Sequence, residues 1–455
     1  MELRRHIDGW LDAWRRRPNR KPVLVKGIRQ SGKTHSILSF AKKNYQTIVY
    51  LNFWDAPDLV DAFAGELDVS SIIKELSVKL PLPELAKGST VFIYDEVQEC
   101  PRALLSLKSA GVDSGYDFIA SGSYLGIRGY VVSDDTPKPV GSVEEFDMRT
   151  LDFEEFLWAK GYQKEQVSYL KEAFLSQTPL SKSMHDAFTS LFREYLCIGG
   201  FPEAVSIYME SGNIQTALQT VRRITNDLQD DFGRRRGKDN RPLFKPNEVA
   251  RIRSAFSLIP SFLAKENKRY IVSKIEGRGA KDAGKDAISY LIDADVATKA
   301  YNLETPSIPL SVNLIASQYK LYPADIGMLV GMLEDGTTNA ILSGQLGMSK
   351  GMLYEALVAD ALYKRGGRLF YFSKEGKLEL DFLINFKGEA AILEVKAVSG
   401  NAKSAKTVLK HPEHYGKTRL IQIKDANIGY ANDVLTIPHY MAHLLFDWSP
   451  TLPLD

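Results

Sequence analysis

The sequence predicts a multidomain α/β protein, and three observations support that prediction. The chain has 455 residues, more than a single hydrophobic core usually organises. Within residues 1–160, short apolar runs alternate with helical segments, as in a parallel sheet covered by helices. A glycine-rich loop stands between the first of these runs and the helix after it. We therefore expect an α/β unit followed by further domains.

The composition is that of an ordinary globular protein. Apolar residues make up 44% and charged residues 25% of the chain, which argues against a mainly disordered or fibrous protein. No apolar run approaches the roughly 18 residues of a membrane helix, and the first ten residues lack the apolar centre of a secretory signal. The two cysteines, Cys100 and Cys197, match neither a disulfide framework nor a metal site. We expect a cytoplasmic protein with buried thiols and no membrane partner.

Positive charge is concentrated locally rather than over the whole chain. The net charge is only +2, so attraction to DNA or RNA would have to come from local patches. One candidate patch lies near the N-terminus, and its members are Arg4, Arg5, Arg15, Arg16, Arg17, Arg20 and Lys21. The other consists of Arg234, Arg235, Arg236 and Lys238. Solvated surface is the commoner role of such runs.

Changes in periodicity divide the chain into four predicted regions. Apolar strands at Ile48–Phe53, Val91–Tyr94 and Phe118–Ala120 belong to an α/β unit over residues 1–160. Residues 161–245 have the apolar spacing of helices and are predicted to form a linker or lid. Residues 346–455 predict a helix followed by three strands, which would be a separate α/β unit.

The third region, residues 246–345, is predicted to resemble a winged helix. Its pattern gives a helix, a short Tyr270–Ile275 strand, a helix around Asp286–Asp293 and a Val296–Leu303 strand. Many winged helices bind DNA, whereas others serve only as protein contacts. A function for this region therefore rests on analogy of fold.

The glycine-rich loop at residues 27–34, GIRQSGKT, matches G-x-x-x-x-G-K-[ST] in full. It follows the apolar Val23–Val25 run and precedes a helical run that begins at Ile37, which disfavours a chance glycine-rich turn. In such a loop the backbone N–H groups and the helix N-terminus face phosphate oxygens. We predict an ATP and Mg²⁺ site in which Lys33 bridges the β- and γ-phosphates and Thr34 places its hydroxyl on Mg²⁺. The predicted nucleotide-binding residues are Gly27, Arg29, Gln30, Ser31, Gly32, Lys33 and Thr34.

Two carboxylates follow the apolar Val91–Tyr94 strand and supply the partner element. Asp95 is predicted to hold Mg²⁺ through water, and Glu96 to polarise the attacking water. Ser123 ends another apolar strand and is a candidate contact of the γ-phosphate, although Ser-Gly-Ser is also ordinary turn chemistry. The predicted catalytic residues are thus Glu96, Lys33 and Ser123, and the predicted metal ligands are Thr34 and Asp95.

An arginine finger would complete a hydrolysis site, but spacing cannot identify one. The candidates are Arg128, Arg149 and the Arg234–Arg236 run, and a surface role is the better interpretation of each.

A second acidic set lies near the C-terminus. Asp381 is on one predicted strand, Glu394 and Lys396 share a face of the next strand, and Glu355 lies on the preceding helix. If the strands pair, two carboxylates and a lysine can bind Mg²⁺ and activate water against a phosphodiester. E-x-K is frequent on half-exposed strands, so a structural role remains open. Nearby lysines would suit a phosphate backbone, and they are Lys374, Lys377, Lys387, Lys403, Lys406 and Lys410.

Taken in order, these motifs resemble those of a large family of bacterial and archaeal AAA-type ATPases that carry a C-terminal domain of unknown function with a restriction-endonuclease-like fold. The motifs that carry the resemblance are GIRQSGKT at 27–34, VFIYDEVQECP at 91–101, SGS at 121–123, LDFEEFL at 151–157, IGGFPEAV at 198–205, YPADIGML at 322–329, the helix around Glu355, ELDFLI at 379–384 and ILEVK at 392–396.

The resemblance implies an AAA-type ATPase core, a winged-helix-like middle and a nuclease-like C-terminal domain. By position, it assigns the nucleotide-site roles to Lys33, Thr34, Asp95 and Glu96. It assigns the nuclease-fold positions to Glu355, Asp381, Glu394 and Lys396.

Two departures from the family pattern stand out. Ser142 follows Gly141 where a Gly-Arg pair is usual, and Thr150 takes the usual proline position. If that arginine completes the ATP site, hydrolysis is expected to be slow here or to use another residue.

The leading functional hypothesis is an ATP- and Mg²⁺-dependent ATPase that acts as a molecular switch. Nucleotide state would reposition the winged-helix-like and nuclease-like domains on DNA or RNA. One alternative is an ATP-gated, metal-dependent endonuclease. Another is a docking switch in which a degenerate nuclease fold binds a protein partner. A homo-oligomer is compatible with each of these hypotheses.

Overall fold

The computed structural model describes residues 1–111, 114–123, 141–234, 244–275, 280–347, 350–374, 378–396 and 403–446. Two sheets organise these residues, one of five strands and one of eight. The strands of the first sheet are β1 (Val23–Gly27), β2 (Thr47–Asn52), β3 (Thr90–Asp95), β4 (Asp117–Ser123) and β5 (Glu144–Asp147). The α-helices of this part are α1 (His6–Arg16), α2 (Lys33–Asn44), α3 (Val69–Lys79) and α4 (Pro101–Ser106). The prediction of an α/β protein is confirmed.

The first sheet is parallel and has the strand order β2-β3-β4-β1-β5. Every residue of β3 and β4 is buried, which explains their continuous apolar sequence. In register, Gly27 lies beside Ser123 and Asn52 lies beside Asp95. Because the carboxyl ends of parallel strands meet at one edge, the segments that follow β1, β3 and β4 converge there.

The middle of the chain is helical. Its helices are α5 (Phe153–Ala159), α6 (Lys164–Ser176), α7 (Lys182–Ile198), α8 (Pro202–Ser211), α9 (Ile214–Arg234), α10 (Pro246–Ser257), α11 (Ile259–Leu263), α12 (Ala280–Asp293), α13 (Ile326–Gly331) and α14 (Thr337–Ser343). Their buried side chains share one hydrophobic core with the second sheet. The middle and the C-terminal part are therefore packed together.

The predicted Tyr270–Ile275 strand is wrong, because Val272–Lys274 forms a 3₁₀ turn. Tyr270 and Ile275 are five residues apart, so a strand would place them on opposite faces. Both side chains are nevertheless buried in the same core, and the 3₁₀ turn between them directs them there.

The second sheet has the order β12-β13-β11-β10-β9-β8-β6-β7. Its strands are β6 (Ala297–Leu303), β7 (Leu314–Pro323), β8 (Leu369–Lys374), β9 (Leu378–Phe386), β10 (Glu389–Lys396), β11 (Thr418–Lys424), β12 (Gly429–Ala431) and β13 (Val434–Ile437). The helices of this part are α15 (Lys350–Lys364), α16 (Lys403–Lys410) and α17 (Pro412–Tyr415).

The β6–β7 hairpin belongs to this second sheet rather than to a separate wing. β6 pairs in parallel with β8, and Ala300 lies beside Leu369. The sheet therefore crosses the boundary predicted between residues 345 and 346. Local periodicity shows that a strand exists but not which strand it pairs with, so the sequence could not reveal this pairing.

Among the described helices, none combines the length and hydrophobicity that a bilayer-spanning segment requires. Cys100 and Cys197 are both buried and free.

Candidate functional site

The loop between β1 and α2 requires glycine at two positions. A Cβ on Gly27 would lie 2.1 Å from the carbonyl oxygen of Met148, so no side chain fits there. Gly32 has φ of 92°, a left-handed conformation that glycine adopts without steric cost. The start of the loop therefore packs tightly against Met148 at the carboxyl edge of the first sheet, and its end leads directly into the N-terminus of α2.

Lys33, the first residue of α2, is buried against this loop. Its Nζ donates to the carbonyl oxygens of Gly27 and Ile28 at 3.1 and 2.9 Å. Burial lowers the pKa of Lys33 to about 8, against the opposing effect of the Glu96 and Asp95 carboxylates. The ammonium thus remains mostly charged at neutral pH and is held within the loop.

The predicted metal ligands Thr34 and Asp95 are in contact. Thr34 Oγ1 donates to Asp95 Oδ2 at 2.9 Å, and Asp95 is only 3% exposed. Two residues that the sequence did not single out also donate to Asp95, namely Tyr50 at 2.8 Å and Ser121. Tyr50 lies on β2, which pairs with β3, so only the strand order brings it to this carboxylate.

Glu96 begins the turn after β3, with φ of 49°. This conformation is uncommon for a residue other than glycine and occurs often at functional turns. Gln98 Nε2 donates to the Glu96 carboxylate, and the charge of Glu96 acts on Lys33. The carboxylate predicted to orient water is therefore near the lysine predicted to bind phosphate.

Two buried hydroxyls at this edge have no hydrogen-bond partner within the described part of the chain. They belong to Ser31 in the loop and Ser123 at the end of β4. An unsatisfied buried hydroxyl is costly, so its position favours a site that a polar ligand completes. Phosphate oxygens are hydrogen-bond acceptors that these two hydroxyls could donate to. Lys33 and the Thr34–Asp95 pair have the chemistry to hold the same ligand, a nucleotide with Mg²⁺.

Arg29 connects the loop to the helical middle. Its guanidinium forms an ion pair with Asp231 on α9 and lies 5.7 Å from the centre of the Trp54 ring. The side chain is thus occupied by protein contacts, while Gln30 is exposed.

Arg149 is not the surface residue that the sequence suggested. It forms an ion pair with Asp295, donates to Tyr363, and has a side-chain exposure of 14%. The expectation of a surface role is wrong here because distant segments supply buried partners. The other finger candidates Arg128, Arg235 and Arg236 lie outside the described residues, and Arg234 ends α9.

Most of the N-terminal basic patch supports the fold rather than facing a partner. Arg15 donates to the carbonyl oxygen of Asn44, Arg17 pairs with Glu144, and Arg20 pairs with Asp117. In contrast, Lys403, Lys406 and Lys410 lie on the exposed face of α16. Lys238 and Lys377 lie outside the described residues.

A buried polar cluster joins three of the motifs behind the family resemblance. The Asp325 carboxylate accepts from Thr150 Oγ1 at 2.6 Å, Gly200 N at 2.9 Å and Lys364 Nζ at 2.8 Å. Lys364 also pairs with Asp360 at 3.0 Å. Thr150, in the usual proline position, thus bonds to Asp325 in the middle, and Asp325 in turn pairs with Lys364 on α15. Gly200 packs closely, since a Cβ there would lie 2.0 Å from the carbonyl oxygen of Leu151.

The four C-terminal candidate residues lie near one another. Val395 N donates to Asp381 Oδ2 at 2.8 Å, and Lys396 Nζ lies 2.5 Å from Glu394 Oε1. Burial, followed by the charges of Glu355 and Glu394, raises the pKa of Asp381 to about 7. Glu394 Oε2 is buried with no hydrogen-bond partner among the described residues.

Two lysines that the sequence did not indicate form ion pairs with the Glu355 carboxylate. Its carboxylate accepts from Lys320 at 3.0 Å, from Tyr322 at 2.6 Å and from Lys268. Burial opposes its charge, but the two lysines prevail and lower the pKa of Glu355 to about 2.

The C-terminal carboxylates do not form a ready three-ligand metal site. Within the described ranges, one set of acidic and histidine side chains has ligand atoms within 4.8 Å of one another, and it is His6, Asp152 and Glu155. That set is already paired with Arg5 and Arg365.

A cavity of about 590 Å³ opens beside the C-terminal set. Arg269, Tyr371, Lys374 and Glu379 are among its lining residues, and Glu379 pairs with the buried Lys320 at 2.9 Å.

Three family models match successive parts of the chain. Residues 19–157 match an AAA domain, residues 189–339 match a domain of unknown function (DUF8612), and residues 350–440 match another domain of unknown function (DUF4143). The first match and the parallel sheet together identify the N-terminal unit as an AAA-type P-loop ATPase domain. The comparison with curated proteins gave no match.

Solved structures similar to the chain include a Walker-type ATPase of Pyrococcus abyssi, at 14% identity and a TM-score of 0.40, covering 73% of this chain and 96% of that one. The ORC2 protein of Aeropyrum pernix, with ADPNP and ADP, has 13% identity and a TM-score of 0.33, with 76% and 95% covered. The ORC1 protein of Aeropyrum pernix, in complex with DNA, has 11% identity and a TM-score of 0.24, with 74% and 90% covered. At these values, none of the three assigns a substrate or partner to this chain.

Proposed function

We propose that the chain binds ATP with Mg²⁺ at the loop of residues 27–34, hydrolyses it, and transmits the nucleotide state to its middle and C-terminal parts. The observation that carries this proposal is the contact between Thr34 and Asp95 at 2.9 Å, beside the buried Lys33 and the turn of Glu96. These residues come from the segments at the carboxyl ends of β1 and β3, which β4 separates in the sheet, and they have the chemistry that phosphoryl transfer requires.

Each of these side chains has a distinct task in the proposed site. Thr34 and Asp95, the latter through water, would hold the metal, which supplies positive charge next to the phosphates. Lys33 would leave the loop carbonyls and bind phosphate oxygens. Glu96 would orient the attacking water, and Ser123 would donate its free hydroxyl to the phosphate or to that water.

The proposed transmission of the nucleotide state rests on contacts between the ATPase domain and the rest of the chain. Arg29 in the loop pairs with Asp231 on α9. Arg149 pairs with Asp295 and donates to Tyr363 on α15. A ligand that moves the loop would act directly on the Arg29–Asp231 ion pair with the helical middle. Arg149 lies outside the loop and links the same domain to the middle by an ion pair and to α15 by a hydrogen bond. DNA or RNA remains the proposed target, supported by the exposed lysines of α16.

Glu96→Gln is expected to reduce kcat for ATP hydrolysis about 10²- to 10³-fold while ATP binding persists, because the amide cannot accept a proton from water. Phosphate release and calorimetric ATP titration measure the two effects. Glu75→Gln, which changes an exposed acid on α3, is the matched control. Hydrolysis by Glu96→Gln at the rate of this control would remove Glu96 from the mechanism.

A metal-dependent nuclease is the second candidate function, favoured by the proximity of Asp381 and Glu394 and by the buried free oxygen of Glu394. Glu355 would first have to exchange its lysine partners for a metal. We expect Mg²⁺-dependent cleavage of DNA that ATP stimulates and that Asp381→Asn reduces at least about 10²-fold. Glu413→Gln, at an exposed acid of the same part, is the control. Equal cleavage by both variants would leave the docking switch as the better account of this domain.

A further inference from the structure

Arg5 lies buried beneath the phosphate loop, although its sequence context places it in an exposed basic patch. It is 5% exposed. Its Nη1 donates to the carbonyl oxygen of Ser31 at 2.9 Å, and its Nη2 donates to the carbonyl oxygen of Arg149 at 2.7 Å. The guanidinium is also close to Gly32, where an added Cβ would lie 3.6 Å from Nη1. Arg5 therefore contacts the last turn of the loop directly.

The contact with Ser31 determines the direction of the next amide. In a planar trans peptide the C=O of one residue and the N–H of the following residue point in opposite directions. Because Arg5 holds the Ser31 carbonyl, the Gly32 N–H points away from Arg5. If the carbonyl were released, the peptide could turn and present an oxygen, rather than an N–H group, to phosphate.

Other residues hold Arg5 in place without a ligand. Its Nε lies 3.0 Å from Glu155 Oε1 as an ion pair, although not in the alignment of a hydrogen bond. Glu155 is itself fixed by the backbone N–H groups of His6 at 2.6 Å and Asp152 at 3.2 Å. These contacts fix the Arg5 side chain before a nucleotide binds, so binding requires little further ordering of that side chain.

We propose that Arg5 is a positioning residue of the nucleotide site, which orients the Gly32 amide toward the phosphates of a nucleoside di- or triphosphate. This inference rests on the proposed nucleotide site. The same arginine connects that site to α5, because Glu155 and its capping partner Asp152 belong to the start of this helix. Asp152 in turn pairs with Arg365, which follows α15.

Arg5→Gln tests the proposal, with Arg4→Gln as the matched control. Arg4 is adjacent and exposed, and its guanidinium lies over the Trp158 ring. The hydrogen bond from the Gly32 N–H group to a phosphate oxygen is present in both the ground state and the transition state. Loss of this hydrogen bond therefore raises KM more than it lowers kcat. We expect KM for ATP and Kd for ADP to rise about ten- to a hundredfold in Arg5→Gln. We expect kcat to change by less than about threefold.

Arg5→Lys keeps the positive charge but cannot hold both carbonyl oxygens. For Arg5→Lys we expect KM for ATP and Kd for ADP to rise a few fold. We expect the unfolding temperature of the nucleotide-free variant to lie close to that of Arg4→Gln. Arg5→Lys tests the same proposal if Arg5→Gln does not fold. Nucleotide affinities of the Arg5 variants within twofold of Arg4→Gln, or a loss confined to kcat, would overturn the inference. If Lys33→Ala also left ATP binding intact, the nucleotide site itself would be wrong.

Discussion

Lys33→Ala is expected to lower kcat/KM for ATP hydrolysis by at least about 10³-fold. Lys33 is the charged side chain that the loop encloses, and burial and the loop carbonyls hold it in place. Its loss removes a charge-assisted contact from the bound nucleotide, which weakens binding. It also removes a preorganised donor from the developing charge of the transition state, which alone costs about 10²- to 10³-fold in kcat.

Lys42→Ala is the control for this experiment, because Lys42 lies on the exposed side of the same helix. Steady-state phosphate release and ATP titration of the two variants separate the effects on turnover and on binding. If Lys33→Ala turned over ATP at one tenth or more of the rate of Lys42→Ala, the loop would not be the hydrolysis site.

Lys364→Met is expected to lower the free energy of unfolding by about 3–5 kcal/mol, because it leaves buried carboxylates without their cation. Lys364 pairs with Asp325 at 2.8 Å and with Asp360 at 3.0 Å, and all three side chains are almost completely buried. Burial already raises the pKa of Asp360 to about 7 even with the lysine present. Methionine is apolar and similar in length, so the change tests the charge rather than the volume.

The sign of the pH dependence follows from Asp360. Its folded-state pKa lies above the ordinary value of an aspartate, so protonation stabilises the folded state and this contribution is lost as the pH rises through 7. The penalty of Lys364→Met should therefore be larger at pH 8 than at pH 5. Denaturant unfolding at both pH values measures it, with Lys406→Met at an exposed position as the control. A loss below about 1 kcal/mol at pH 8 would mean that the cluster is not a stabilising junction.

The ATPase domain can be predicted from the sequence because its motifs consist of residues that are close together along the chain. The eight residues of the loop are contiguous, and the apolar runs at 48–53, 91–94 and 118–120 coincide with strands of the parallel sheet. A buried parallel strand needs apolar residues on both faces, and the adjacent Asp95 and Glu96 therefore mark its end. Local sequence was thus sufficient to predict the class of the domain and the contact partners Thr34 and Asp95, but not Tyr50 or Ser121 at the same edge.

Residues whose partners are distant along the chain could not be found in this way. Arg5 lies 26 positions from Ser31, and Lys268 lies 87 positions from Glu355. In each case, the side-chain type alone suggests a solvated charge, and only a buried partner makes it a structural contact. The β6–β7 hairpin is a similar case, since its pairing with β8 depends on the sheet and not on its own residues.

The sequence alone determined the α/β class, the phosphate loop, the two carboxylates at the end of β3 and the four polar residues near the C-terminus. Each is a matter of residue type and spacing within a few positions, where backbone periodicity decides the geometry. Only the tertiary structure decided that Glu355 is held by lysines, that Arg149 is buried, and that Arg5 supports the loop. Burial and long-range pairing set the charge state and the availability of a side chain, and neither is encoded within a local stretch of residues.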